Sequence, residues 1–334
     1  GNFHEYHHNF QGFGVGAGGE VTNNAMTLVS YALFTKISAN RGVGSYGAQG
    51  LGGWNSYTSA TWALDQALRI KNNGASNGPR GLAIYATLLH NFGADNFIQS
   101  KVRQRTGSYG ENYTGYLRAW QETTHNDMTY FWRNILTGSY VDSTSGNNIG
   151  YGITDSVVNT YKNEAYPLFV PVSCLYQTGR SYTYDGIKKD FKTMQPYVIN
   201  YGENFTLDLR RYTLGNGNMY ESGSVVLPND FTHTIKATPT CEYGKIVETS
   251  TEGVYTYIPD PNHLSSGEIR VTLQLHKTDD FANDSNFGNR NIEDVELILE
   301  LQQSHEMTKS TLIRTTYTYN GGNPYTDAVT AFES

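Results

Sequence analysis

The pattern of apolar and polar positions along the chain changes character near residue 155. Before it, apolar residues recur at helical spacing. Val21, Ala25, Leu28, Val29 and Leu33 fall on one stripe, and Ala60, Ala63, Leu64, Ala67 and Leu68 fall on another. The second stripe predicts a helix over 57–70, closed by Asn72, Asn73 and Gly74. Pro79 opens a further helical segment over 81–92, with Gly93 as its expected stop. Segments over 114–122 and 124–136 continue the helical pattern. The glycine-rich stretch 46–54 reads as a loop.

After residue 155 the period falls towards two. Strand-like runs lie at 168–175, 205–209, 224–227, 232–237, 253–258, 269–276 and 295–302, parted by clusters of Gly, Pro, Asn and Asp. Ile269, Val271, Leu273 and Leu275 alternate with other residues, which predicts one buried strand face. The strands at 253–276 resemble an immunoglobulin-like module. The expected fold class is therefore α+β and multidomain: a mainly helical half over 1–155, then a β-rich half over 156–334 with a β-sandwich near 235–320.

Composition narrows the function classes. A chain of 334 residues is long enough for two cores. Its formal charge of -7, with no run of Lys or Arg, disfavours nucleic-acid partners. No stretch of eighteen apolar residues is present in the sequence, so no helical membrane span is expected. Charged residues make up only 16 %, against 26 Tyr and 35 Gly, a surface chemistry suited to extracellular proteins and carbohydrate contacts. The two cysteines, Cys174 and Cys241, either pair in an oxidising compartment or stay as buried thiols. Glycosylation sequons begin at Asn112, Asn204 and Asn283.

The candidate chemistry lies at the start of the chain. His4 and His8 are four residues apart, which on a helix puts both imidazoles on one face. Glu5 sits beside them, where a carboxylate activates a metal-bound water. Two His with an intervening Glu is the zinc-peptidase arrangement, and Glu20, opening the next apolar stripe, is the natural third ligand. The short motif taken alone equally describes a surface helix with two solvated histidines. His7 points about 100° away from His8 and cannot share a metal with His4. His305-Glu306 has no second His four residues on and reads as surface.

The string His4-Glu5-Tyr6-His7-His8-Asn9-Phe10-Gln11, followed by Gly19-Glu20-Val21-Thr22-Asn23-Asn24, resembles the enhancin-like zinc peptidases, a family that includes bacterial and protozoal mucin glycopeptidases. The family pattern is H-E-x-G-H-N-[YF]-Q, then G-E-V-T-x-N; His7 departs from it where a Gly is usual. A weaker likeness runs through Gly81-Leu82-Ala83-Ile84-Tyr85 and Phe131-Trp132-Arg133. The resemblance implies a gluzincin-like fold for the helical half, Zn²⁺ held by His4, His8 and Glu20, and Glu5 as general base. It implies O-glycosylated, mucin-like glycoprotein substrates. It also implies a sheet before the metal helix, so an upstream segment, in the same polypeptide or as a separate chain, is expected to dock against the helices at 4–36. Asn23 and Asn24 are candidate contacts to substrate. Trp54, Tyr57, Tyr109, Tyr113 and Trp120 are candidate sugar-stacking rings, against the reading of each as an ordinary core or surface residue, and Arg80 and Arg118 are candidate carboxylate binders, against ordinary salt bridges. A second function class remains open: a peptidase-like protein that binds glycans or partners without turnover.

Overall fold

The computed structural model describes residues 79–107, 109, 113–135, 139–141, 148–150, 154–174, 179–184, 187–192, 197–200, 202–209, 225–263 and 267–303. The helices expected at 21–33 and 57–70 and the loop at 46–54 lie outside the described residues.

Helix α1 spans Pro79–Thr106 and carries a break at Gly93, whose φ of 77° and ψ of 172° are not helical. Gly93 was the expected stop of this segment. It does interrupt the helix, but the chain resumes helical geometry beyond it. Only Gly takes that backbone conformation cheaply. Asn96 Nδ2 donates to the Phe92 carbonyl across the break at 2.7 Å, giving a partner to a group the kink would leave open. The resumed segment is anchored by Phe97, which is fully buried. Helix α2 spans Tyr113–Thr124 and buries Tyr116, Leu117, Ala119 and Trp120 along one face.

The helix expected over 124–136 is divided. His125 has a positive φ of 51°, and Asp127 forms a parallel bridge with Leu168. Helical geometry returns only beyond this turn, ending in a π-helical stretch over Phe131–Ile135. A short helix α3, Asp155–Tyr161, follows, started by the Thr154 hydroxyl, which accepts from Val157 N.

Two short strands precede α3 in the chain, and the remaining described strands follow it. Strands β1 (Ser139–Val141) and β2 (Asn148–Gly150) form a hairpin, and β3 (Ser173–Cys174) pairs with β8 (Val225–Val226). The main sheet centres on β13 (Gly267–Lys277) and β14 (Val295–Gln303). On one side β13 pairs with β9 (Phe231–Ile235) and β10 (Thr240–Cys241). On the other, β14 pairs antiparallel with β4 (Gly179–Tyr184) and parallel with β6 (Tyr197–Ile199); β5 (Ile187–Lys192) lies outside β4. A second sheet of three strands has the order β11 (Lys245–Glu248), β12 (Val254–Ile258), β7 (Phe205–Asp208).

Alternation sets which face of the main sheet is dry. Ile269, Val271 and Leu273 stand opposite Leu299, Leu297 and Val295 in register, and all six are buried. Their cluster continues into Leu207, Tyr255 and Tyr257 of the smaller sheet and into Trp120, Phe131 and Phe169 of the helical region. The mixed α+β class holds. The outer face explains the β4–β5 hairpin, which apolar periodicity does not signal. Arg270 on β13 donates to Glu296 on β14 at 2.8 Å and to Asp190 on β5 at 2.6 Å, tying three strands across the sheet. The run at 168–175 is strand only over Ser173–Cys174. Cys241 is a half-buried thiol whose Sγ donates to the Gly244 carbonyl at 3.4 Å, and the Cys174 side chain lies outside the description.

Two outcomes follow from this packing. Trp120 is fully buried against Phe92, Phe97 and Tyr116. Trp120→Ala is expected to lower unfolding free energy by about 3–5 kcal/mol, read as a fall in the urea midpoint. On β9, burial, helped by nearby His276, pushes the His233 imidazole down from 6.5 to about 4. A folded pKa below the unfolded one leaves stability intact above pH 6.5 and removes it as pH falls towards 4. The urea midpoint is therefore expected to fall between these pH values, and less steeply in His233→Leu.

Candidate functional site

His4, Glu5, His8, Glu20, Asn23, Asn24 and Trp54 lie outside the described residues. Tyr113 begins α2, and its side chain is outside the description. Among the described residues no three His, Cys, Asp or Glu side chains converge as a metal would need.

What the described residues do build is a buried polar junction at the turn between α2 and the π-helical stretch. Asp127 is fully buried. Its Oδ1 accepts from Thr129 N at 2.9 Å and from the Thr129 hydroxyl at 2.5 Å. Its Oδ2 accepts from Asn163 N at 3.1 Å and from Arg290 Nη1 at 2.5 Å. Arg290 Nη2 in turn donates to the carbonyls of Asn163 at 3.0 Å and Tyr166 at 2.8 Å. The backbone of Asp127 is also engaged, donating to Pro167 O and accepting from Phe169 N. Each carboxylate oxygen thus has two donors, and a charge pair this deep is tolerable only when its remaining groups are satisfied. Gln121 completes the turn: its Oε1 accepts from Met128 N and its Nε2 donates to Tyr161 O.

Beside this junction Tyr130 enters an aromatic cage. Its ring meets Phe231, Phe281 and Phe287 edge to face, with centroids 5.5, 5.5 and 5.6 Å away. Its hydroxyl donates to Asp230 Oδ2 at 2.6 Å. Burial, and the carboxylates of Asp230 and Asp284, hold the phenol well above its ordinary pKa, so it stays protonated as a donor.

A second buried polar contact joins α1 to the sheet. Asn91 Oδ1 accepts from Arg180 Nη1 at 2.6 Å and from Val172 N at 3.2 Å, and its Nδ2 donates to Thr87 O at 2.9 Å. Burial lowers the Arg180 guanidinium to about 10, opposed by Glu293.

The aromatic candidates divide. Trp120 is fully buried in the core, so it is no platform for a sugar: the helical stripe that places it on the face of Tyr116 and Leu117 turns it inward. Tyr109 is half-buried, and its ring lies under the Arg118 guanidinium at 4.9 Å; Tyr161 lies 5.7 Å from the same group. Arg118 is therefore engaged in stacking rather than waiting for a carboxylate. Trp54, Tyr57 and the Arg80 side chain lie outside the described residues. Sequence reasoning missed Asp127, Arg290, Asn91 and Arg180. The Asn126-Asp127 pair inside an otherwise helical run was the available sign of a turn; Arg290, in a polar loop, gave none.

Comparison with known proteins bears on the stretch before this junction and through it. Residues 1–135 match the family described as Peptidase M60, enhancin and enhancin-like. Antigenic protein P1 of Entamoeba histolytica is 28% identical over 216 residues, covering 62% of this chain and 17% of that protein. Antigenic protein NP1 of Entamoeba histolytica is 29% identical over 218 residues, covering 62% of this chain and 30% of that protein. The chain thus spans less than a third of the length of either relative. No solved structure matches it. Among the described residues no helix is long and apolar enough to cross a membrane. Over residues 1–135, where His4, Glu5, His8 and Glu20 all fall, the chain is similar to the enhancin-like peptidases.

Proposed function

We propose that the chain carries the metal site of a zinc-dependent endopeptidase acting on O-glycosylated, mucin-like glycoproteins outside the cell. The observation that carries this reading is the spacing His4-Glu5-x-x-His8, with Glu20 downstream, inside the stretch matched to a peptidase family. Two imidazoles and one carboxylate are the donor set and ligand count of a catalytic zinc with one open position. Bound there, the metal would supply a Lewis acid for the scissile carbonyl and lower the pKa of its water. Glu5 accepts the proton of the attacking water on its carboxylate and returns it to the nitrogen of the departing amine. Asn23 and Asn24, just past Glu20, orient the ligand carboxylate or hold the substrate backbone. Trp54 and Tyr113 offer aromatic faces to a sugar ring.

The gluzincin arrangement of the helical half and the immunoglobulin-like character of the β half belong to the same proposal. The antiparallel β13–β14 core, the alternation of buried residues along β13 and the second sheet sharing its buried cluster support the sandwich.

Glu5→Gln is expected to keep the metal while turnover falls by orders of magnitude, about 10²-fold or more, because the ligands survive and proton transfer does not. Undiminished hydrolysis by that variant would remove Glu5 from its role. For substrate class, paired peptides of one sequence, with and without an O-linked glycan, should be cleaved at different rates, the glycosylated one faster. Equal rates would leave a general peptidase.

A further inference from the structure

We infer that the enhancin-like stretch does not fold as a unit by itself: residues 228–290 form an intramolecular docking surface that residues 113–135 must occupy, through the Asp127–Arg290 pair and the Tyr130 cage. The change of pattern near residue 155 then marks a switch of secondary structure and not the edge of a folding unit.

Two independent observations lead there. The first is charge. Asp127 is fully buried and its cationic partner Arg290, itself 8 % exposed, comes from the loop before β14. In the assembled chain each charge is out of water only in the company of the other, so removing one partner while the packing stays leaves an uncompensated buried charge and weakens both sides of the contact.

The second is apolar. The Tyr130 ring is fully buried, and the three rings that surround it, Phe231, Phe281 and Phe287, all come from the β region. Removing residues 113–135 would open this cage to water, an apolar patch of the kind that marks an interface. The Tyr130 hydroxyl also fixes orientation through its bond to Asp230.

The test is amide hydrogen exchange on the full chain, with Arg290→Met. In one cooperative unit, weakening the β side of the contact accelerates exchange on both sides. Amides of 113–124 and of 295–301 are expected to speed up together, at least tenfold, and calorimetry to give one transition displaced as a whole. Should Arg290→Met fail to fold, Tyr130→Phe carries the test, since it removes only the hydroxyl bonded to Asp230; the same paired acceleration is expected, about two- to fivefold. Sheet amides that accelerate while 113–124 keep their wild-type rates would overturn the inference. So would no acceleration in either region, or two separate transitions of which the substitution moves one.

Discussion

The described structure depends on one buried ion pair. Asp127 breaks what would be a continuous helix, and Arg290 reaches it across 163 residues of sequence. The carboxylate organises the turn after α2 by accepting from Thr129 and Asn163, and the guanidinium closes the loop at 163–166 by donating to two of its carbonyls. A fully satisfied buried pair contributes little net stability over a well-packed apolar alternative, but losing one partner is costly. Its effect is therefore on uniqueness. The chain entering the π-helical stretch has one direction compatible with both partners, and Tyr130 is thereby delivered to its cage.

From that point the packing is ordinary hydrophobic chemistry. Trp120, Phe92, Phe97, Phe131 and Phe169 fill the space between the helices and the sheet through tilted and edge-to-face contacts. Arg180, held by Asn91, is the polar counterpart of this layer on the α1 side. The sheet itself is dry on the face carrying Ile269, Val271 and Leu273 and ionic on the face carrying Arg270, Glu296 and Asp190. Surface pairs of this second kind add little each. They fix the hairpin β4–β5 against β14 more than they stabilise it.

How much of this was legible in the sequence follows from the range of each interaction. Periodicity located α2 and strands β7, β9, β12, β13 and β14 to within a residue or two, because alternation and helical stripes are local and report burial directly. Gly93 was legible as a break but not as a kink, since resumption depends on Phe97 finding the core. The divided helix after residue 124 had a local sign in the Asn126-Asp127 pair, but the partners that hold the turn, Leu168 and Arg290, lie farther along the chain. The hairpin β4–β5 was missed because polar residues such as Lys188 and Lys189 face water, and only the partner strand makes them a strand. Of the two readings open for Trp120, sugar platform or core ring, the core reading holds, because its helical stripe with Tyr116 and Leu117 turns it inward. The candidate catalytic residues were legible for the opposite reason: metal chemistry demands a short fixed spacing, and His4, Glu5 and His8 keep it.

The proposed activity requires a bound metal at His4, His8 and Glu20. Zinc content per chain, measured by elemental analysis after metal-replete purification, tests it in the wild type and in His8→Ala and Glu20→Gln. The account predicts about one zinc per wild-type chain and a loss of most of it in both variants, as a three-ligand site requires. Zinc absent from the wild type, or retained undiminished in both variants, would contradict it.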